Sequence, residues 1–469
     1  MRASSEEREW AREEFGGLGV GDLRRRDRVL AMGTRLAGSA AGRVSDVFDK
    51  AAERQGAYDL LEGGRVPAEA ILEACAAASV RRSEGQSFAF VPIDATSIQV
   101  VDRARRTDLG LVGTFTNDGR GLNVVTALSV SAQGTPLGIC AQTWWARPTT
   151  RRKRCPSSYR PVHERESRHM VQTIHDVARR YDGSGCTPWM VIDRGGDGTV
   201  VLDALLGSRA RFTVRASWNR RIKGNRSYPL VRDRLAAAPI VMRYTVHVPA
   251  GYKRRERVAQ LEVRVARVQL NVAHDWRARR ADPIVNVLWI TEIKAPQGEK
   301  PLDWMLYTNA PIDTSERIKI VVRSYTLRWR IEDFHKTWKS GHCGVEDTQL
   351  RTTAAVKTWA TLLATVAARI ERLKHLARNE PDLPASKELS SLELEALVLL
   401  KTNQKKKTES IPDRVPPISL AVRWIADLGG YTGKSSGGPP GATTLARGLF
   451  KVETAVQLLQ SLREREQKR

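Results

Sequence analysis

A mixed α/β fold, sheet-centred and helical at both ends, is what the sequence predicts. Three observations carry it. Two apolar, strand-like runs end in acids at Asp94 and Asp193, and a stretch of helical periodicity lies between them. The first 75 residues and most of the chain beyond 313 show helical patterning.

The opening segment reads as helices. Trp10, Phe15 and Leu18 begin an apolar pattern, and GDLRRRDRVLAMGTRLA reads as a helix capped near Asp22. Arg24, Arg25 and Arg28 fall near helical spacing and can share a face. Spacing alone leaves two explanations open, a solvated basic face or a DNA-facing one. From residue 87 the texture turns to strand. SFAFVPIDATSIQV carries Asp94 at the end of its apolar half. LNVVTALSVSA and TPLGICAQTWWA are separated by a Gln133-Gly134 turn and read as a hairpin packed beside it. Met170, Ile174 and Val177 mark a helix over 164–181. PWMVIDRGG is a strand closing at Asp193, and RFTVRAS (211–217) is a fifth. Three neighbouring strands, a helix, a strand and more α/β is the order of an RNase H-like core, which other α/β folds share in part.

Residues 218–300 interrupt that order and read as an Arg-dense, all-β insertion. Within it, apolar alternation moves from Leu261, Val263 and Val265 to Val268, Leu270 and Val272, which predicts a β-bulge near Arg267. Helix resumes after about 313 and continues, with breaks, to about 378. A charged, Pro-containing linker follows at 401–417, and an amphipathic helix ends the chain. The expected organisation is a helical end-binding domain (1–75), a catalytic core (76–217 and 301–378), the insertion (218–300), and a linker with a helical dimerisation region (379–469).

Composition narrows the partners. The 77 Lys and Arg outnumber the 52 Asp and Glu, for a net charge of +25. That favours a polyanion, nucleic acid first. A basic structural or ribosomal protein is usually shorter and poorer in tryptophan; this chain has 469 residues and 12 Trp. Five cysteines without a CxxC argue against a disulfide framework or a zinc finger. The polar start is unlike a signal peptide, and no apolar run nears the ~20 residues of a membrane span. A cytoplasmic protein, bound to the nucleoid through DNA and not to a membrane, is expected.

Phosphoryl transfer on DNA calls for an in-line nucleophile and a stabilised leaving oxygen, which a pair of Mg²⁺ ions about 3.5–4 Å apart can serve. Such ions take carboxylate oxygens, so three converging acids suffice. Asp94 and Asp193, late in apolar strands, are costly there unless paired or metal-bound. A turn cap is the ordinary role of a single strand-end Asp; two in this order weaken it. The third acid is best sought in SYTLRWRIEDFHKTWKSG. Tyr325, Arg328, Glu332, Lys336 and Lys339 follow one another at +3, +4, +4 and +3, one stripe of a continuous helix. A solvated Arg–Glu–Lys ladder is the bland alternative. A metal-directed Glu332 among phosphate-holding cations and a phenol fits better. Asp333 points elsewhere, and Glu346 and Asp347 lie beyond the Gly341 break.

YTLRWRIEDFHKTWKSG resembles the Tyr-Arg-Glu-Lys signature of DDE cut-and-paste insertion-sequence transposases, most like the bacterial type used for tagmentation in vitro. The signature residues correspond to Tyr325, Arg328, Glu332 and Lys339. The other triad acids fall on Asp94 in IDATS and Asp193 in VIDRGGDG. QTWWARP, RFTVRAS with Arg215, PLDWMLYTNAP and IADLGGYTG extend the similarity over nearly the whole chain. The resemblance implies catalytic, metal-holding Asp94, Asp193 and Glu332, two Mg²⁺ ions with Mn²⁺ as a substitute, and double-stranded DNA as substrate. It implies a nick by metal-activated water, a hairpin end formed by the freed 3′-hydroxyl, hairpin opening, and joining to target DNA. Trp304 would stack on a flipped base, with Trp329 beside it. Arg24, Arg25 and Arg28 would touch the transposon end, together with contacts from Tyr325, Arg328, Lys336, Lys339 and Arg215. The C-terminal segment would form the homodimer of a synaptic complex. Ile93 stands where the family has an acid, and Leu122 and Asn123 replace an aromatic pair, which leaves the triad intact but blurs the end sequence. The basic run RRKRC (151–155) is a further candidate DNA tract. A catalytically silent end-binding relative and an RNase H-like nuclease are the alternatives. A zinc protein using His335, His342 and Cys343 lacks ligand spacing.

Overall fold

The computed structural model describes residues 9–102, 108–113, 119–149, 160–248, 250, 255–272, 282–404, 411–412, 414–433 and 438–467. The basic run 151–155 lies outside them. Helices α1 (Glu9–Phe15), α2 (Leu23–Ser39), α3 (Val44–Val47), α4 (Ala51–Glu62) and α5 (Ala68–Arg81) come first. Strands β1 (Phe88–Gln99), β2 (Gly110–Val112), β3 (Gly119–Val130) and β4 (Pro136–Trp145) follow, then α6 (Ser167–Tyr181), β5 (Thr187–Ile192), α7 (Thr199–Gly207) and β6 (Arg211–Arg215). Next come β7 (Arg221–Ile222), α8 (Val231–Ala236), β8 (Ile240–Val248), β9 (Arg257–Asn271), β10 (Ile284–Glu292) and β11 (Asp303–Thr308). The chain closes with α9 (Ser315–Thr326), α10 (Trp329–Lys339), α11 (Thr353–Asn379), α12 (Ser391–Gln404), α13 (Ile418–Leu428) and α14 (Ala442–Glu466). No helix among the described residues is long and apolar enough to cross a membrane.

The chain divides into two compact units. Residues 1–86, 95–151 and 330–469 form one; residues 87–94 and 152–329 form the other. Strand β1 supplies its first half to the second unit and its remainder to the first.

In the first unit α11 is the central helix, buried on every side from Thr358 to Ile370. Thr352 caps it, its hydroxyl accepting the Ala355 N–H. The hairpin of β3 and β4 packs against α11 and α5. Its turn closes through Ser131 and Thr135, and Gly134 takes φ +96°, a left-handed conformation that glycine adopts without a Cβ penalty. Asp22 caps α2 as expected, and the Arg24 backbone N–H holds its carboxyl below the usual range. Further along α2, Gly38 abuts α14: a Cβ there would stand 2.3 Å from the Cβ of Glu453. Glu453 is buried with Arg35 at 3.7 Å. Burial and the nearby Glu393 outweigh Arg35 and Arg369 and push its carboxyl up to about 8.

In the second unit β1 and β5 pair in parallel from Phe88 with Thr187 to Ile93 with Ile192, and β6 continues the parallel set. Every β5 residue from Pro188 to Ile192 is buried, so both faces of the strand are covered. Beyond β6 the sheet turns antiparallel through β11, β10 and β9, with β7 and β8 both on β9. The expected insertion is therefore strand-rich but not all β, because α8 interrupts it. Its last strands continue the sheet of the core. The bulge expected near Arg267 does not occur: β9 and β10 stay in register from Leu261 to Gln269. The irregularity lies at Val241 on the partner strand, skipped between Ile240 and Met242 opposite Arg264 and Val263. Burial along β9 does change phase, from Leu261 and Val263 to Ala266, Val268 and Leu270, because a different face of a long strand becomes covered.

The folded chain keeps the proton on Glu453 up to about pH 8, whereas the unfolded chain releases it near 4.5. This contribution to stability is full below about 4.5 and is lost as pH rises through about 8. Glu453→Gln, which cannot ionise, is expected to gain roughly several degrees of Tm over the parent between pH 5 and pH 9. A parent-to-variant difference that stays flat with pH in thermal melts would refute the assignment.

Candidate active site

Asp94 and Asp193 are the next residues after the last pair of the parallel ladder, Ile93 with Ile192. Neighbouring strands lie about 4.8 Å apart, so the two acids start out side by side, Asp94 within β1, which runs on to Gln99, and Asp193 just after β5. Both are half-buried. Asp193 also serves as the turn cap that sequence left open. Its Oδ1 accepts the Gly195 N–H at 2.7 Å at the head of a 3₁₀ turn over Arg194–Gly196. One oxygen is thereby committed, and the side chain is oriented.

The turn after β5 is braced by residues that sequence reasoning passed over. Gly196 packs so closely that a Cβ would meet Ile192 Cγ2 at 2.5 Å. Asp197 is buried and saturated. Its Oδ2 accepts the backbone N–H groups of Ser217 and Trp218 at 2.6 and 3.1 Å, and its Oδ1 faces Arg220 Nη2 at 2.8 Å. Of the two acids in VIDRGGDG, Asp197 is structural and clamps the loop after β6 to the loop after β5. The only hint in the sequence is its own short Gly-flanked spacing from Asp193.

Three of the expected DNA contacts gather in the second unit. Arg215, ending β6, donates to the Tyr325 hydroxyl at 3.4 Å and to the Asp303 carbonyl at 3.1 Å. The Trp304 ring meets Tyr325 edge-on at 5.7 Å between centroids. A buried polar chain sets this cluster: Trp189 Nε1 donates to Thr213 Oγ1 at 2.9 Å, and the hydroxyls of Thr213 and Ser324 bond to each other at 2.9 Å. Thr213 lies two residues before Arg215 and Ser324 one before Tyr325, so β5, β6 and α9 are locked at the point where both side chains emerge. Arg328 lies over the Trp329 ring at 5.1 Å, and Trp329 is 57% exposed.

The signature stretch is not the continuous helix expected. α9 ends at Thr326 and α10 begins at Trp329, with Leu327 and Arg328 in a turn. The hydroxyls of Ser324 and Thr326 bond back to the carbonyls of Val321 and Arg323, which competes with the helical ladder. Tyr325 therefore stands on a different helix from Glu332, and the single stripe is broken. The unit boundary falls here too, between Trp329 and Arg330.

In the first unit α10 presents Glu332, Lys336 and Lys339 at i, i+4 and i+7, while Phe334 and Trp338 face its core. Trp338 anchors the helix by donating to the Ala360 carbonyl at 2.9 Å and by its edge contact with Trp144. Lys336 is exposed. Lys339 approaches Thr96 Oγ1 at 3.4 Å and Glu346 Oε1 at 3.6 Å. Among the N-terminal arginines, Arg24 is 92% exposed and paired with Asp22, as is Arg25. Arg28 lies across α4, its Nη1 1.5 Å from where a Cβ on Gly56 would stand.

Two half-buried carboxylates on neighbouring strands suit a hard divalent cation. In the first unit Asp333, Glu371 and His375 bring ligand atoms within 4.8 Å of one another. There the Lys374 ammonium already contacts Glu371 and stands 3.9 Å from Asp333, so a cation fills that cluster from within the chain. His335, His342 and Cys343 form no such group among the described residues.

Removing Asp197 strands the half-buried Arg220 and frees the turn that orients Asp193. Asp197→Ala is expected to lose about 3 kcal/mol of stability in urea unfolding. A loss below about 1 kcal/mol would show that the clamp does not hold the turn.

Two family descriptions match the chain. "Transposase DDE domain" matches residues 158–368, a range that includes Asp193 and Glu332 and begins after Asp94. "Transposase Tn5 dimerisation domain" matches residues 365–465, which include α12, α13 and α14. An RNase H-like mixed sheet followed by a helical dimerisation region is the arrangement those matches require. The chain belongs to the Tn5-like DDE insertion-sequence transposases, enzymes that cut and join DNA with divalent metal ions and assemble as homodimers.

Proposed function

We propose that this transposase excises its element by nicking and hairpin formation at each end, then joins the 3′-hydroxyl ends to target DNA. The observation that carries the reading is the register of β1 with β5, two interior strands, which sets Asp94 and Asp193 side by side just past their last pair. Glu332 is proposed as the third acid, on the helix that also bears Lys336 and Lys339. These three carboxylates would hold two Mg²⁺ ions, or Mn²⁺ in their place. When bound, the ions supply Lewis acidity to the attacking and leaving oxygens of a phosphodiester.

The chain's own side chains have distinct tasks in this reading. Lys336, Lys339, Arg328 and Arg215 hold backbone phosphates, and the Tyr325 hydroxyl adds a neutral donor. First, water attacks the scissile phosphorus and a 3′-oxygen leaves. That 3′-hydroxyl then attacks the opposite strand, a new P–O bond forming as the old one breaks, and the end closes as a hairpin. Closure bends the strand sharply, and the faces of Trp304 and Trp329 offer stacking worth roughly 1–3 kcal/mol to a displaced base. Residues 1–75, with Arg24, Arg25 and Arg28, bind the transposon end; residues 76–217 and 301–378 carry the chemistry around the 218–300 insertion. Residues 379–469 pair two subunits so that two ends are held in one synaptic complex.

Asp94→Asn, Asp193→Asn and Glu332→Gln are each expected to abolish nicking of a duplex bearing the element's terminal repeats with Mg²⁺. Binding of that duplex should persist in gel-shift assays. Retained nicking in any one variant removes that residue from the triad. An unmutated chain that binds but never cuts would favour a silent relative instead. Trp304→Ala should slow the hairpin step at least about tenfold more than the first nick, as one lost stacking contact implies. Equal slowing on a denaturing gel would remove the base-stacking role.

A further inference from the structure

Lys339 meets an anion already supplied by the chain. Glu346 Oε1 stands 3.6 Å from Lys339 Nζ and accepts the Gln99 backbone N–H at 2.9 Å. The Thr96 hydroxyl is 3.4 Å from the same ammonium. An ammonium and a backbone N–H thus meet at one anionic oxygen, and a hydroxyl lies beside the same ammonium. Those are the donors that commonly bind a DNA phosphate oxygen. Glu346 is brought there by the 3₁₀ turn Val345–Asp347, entered through Gly344 at φ +51°.

We propose that Glu346 is a built-in phosphate surrogate, occupying the cradle of Lys339, Thr96 and the Gln99 N–H until a DNA phosphate displaces it. The inference rests on the reading of Lys339 as a DNA contact. It adds that the contact is made by exchange of one anion for another. The pair is placed for exchange: Lys339 and Glu346 keep 25% and 31% of their side-chain surface in solvent. Ion pairs that exposed are weak, whereas a phosphate contact also releases condensed counterions. Glu346 therefore keeps the cradle formed without DNA and lowers affinity for DNA that cannot displace it.

The test uses the full chain and a fluorescein-labelled duplex bearing the element's terminal repeat, with affinity read by anisotropy at several salt concentrations. Glu346→Gln keeps an acceptor for Gln99 but removes the charge. It is expected to tighten binding roughly three- to fivefold at low salt, the gain shrinking as salt rises. In the Lys339→Ala background the same change should give no gain. Asp347→Asn, an equal charge change one residue on, should give much less. A gain that survives without Lys339, or that Asp347→Asn reproduces, overturns the proposal in favour of general electrostatics. No gain from Glu346→Gln, with Lys339→Ala still weakening binding, overturns the surrogate while sparing the Lys339 contact. No effect of Lys339→Ala overturns both. Should Glu346→Gln fail to fold, Glu346→Asp withdraws the carboxylate by one methylene and is read the same way.

Discussion

The parallel pairing of β1 with β5 is the constraint on which the proposed chemistry depends. Six consecutive residue pairs, most of them buried, fix the register. A one-residue slip would turn every buried side chain to the wrong face, so the register is strongly specified. Asp94 and Asp193 inherit that specification, because each is the next residue after the last pair. Their spacing is thus set by the hydrophobic core and does not depend on contact between the carboxylates. The Asp197–Arg220 clamp and the close packing of Gly196 then hold the turn in which Asp193 sits.

Each unit braces its own part of the machinery by different means. In the second unit the bracing is polar and buried: Thr213 joins Trp189 to Ser324 and so sets β5, β6 and α9 around Arg215 and Tyr325. A fully bonded buried network of this kind costs little once made and specifies one arrangement. In the first unit the bracing is mainly aromatic. Phe334 and Trp338 stack on one face of α10, and Trp338 reaches the backbone of α11. The opposite face of α10 is left for Glu332, Lys336 and Lys339.

Local signals were legible in the sequence, and those that depend on distant packing were not. The Asp22 cap, the Gln133-Gly134 turn and the apolar runs ending at Asp94 and Asp193 each act over a few residues, and each takes the expected form. The break in the signature helix has no local mark, because Leu327 and Arg328 pass through a turn without disturbing the +3 and +4 spacing on either side. The misplaced bulge has a related origin. The change of phase along β9 was visible, but an alternation cannot tell a bulge from a change in which face is covered. Asp197 and Glu346 were hidden for a third reason. Their roles are defined by partners 20 or more residues away, Arg220 for one and Gln99 for the other.

How fully a charged group is bonded separates the two kinds of residue. Charges that the fold requires are buried or half-buried and well bonded: Asp197 with Arg220 and two backbone donors, Arg257 with Glu292 and Glu299. Breaking such a group leaves a desolvated charge, so it cannot be lent to a substrate. Groups suited to bind DNA keep capacity. Asp193 commits one oxygen to its own turn, Lys336 is exposed, Trp329 offers an open ring face, and Lys339 holds a partner it can exchange. A substrate that arrives, is bent and leaves again requires partners of this second kind. Partly solvated bonding of the kind seen at Asp193, Lys336 and Lys339 is what the proposed repeated use of one site would require.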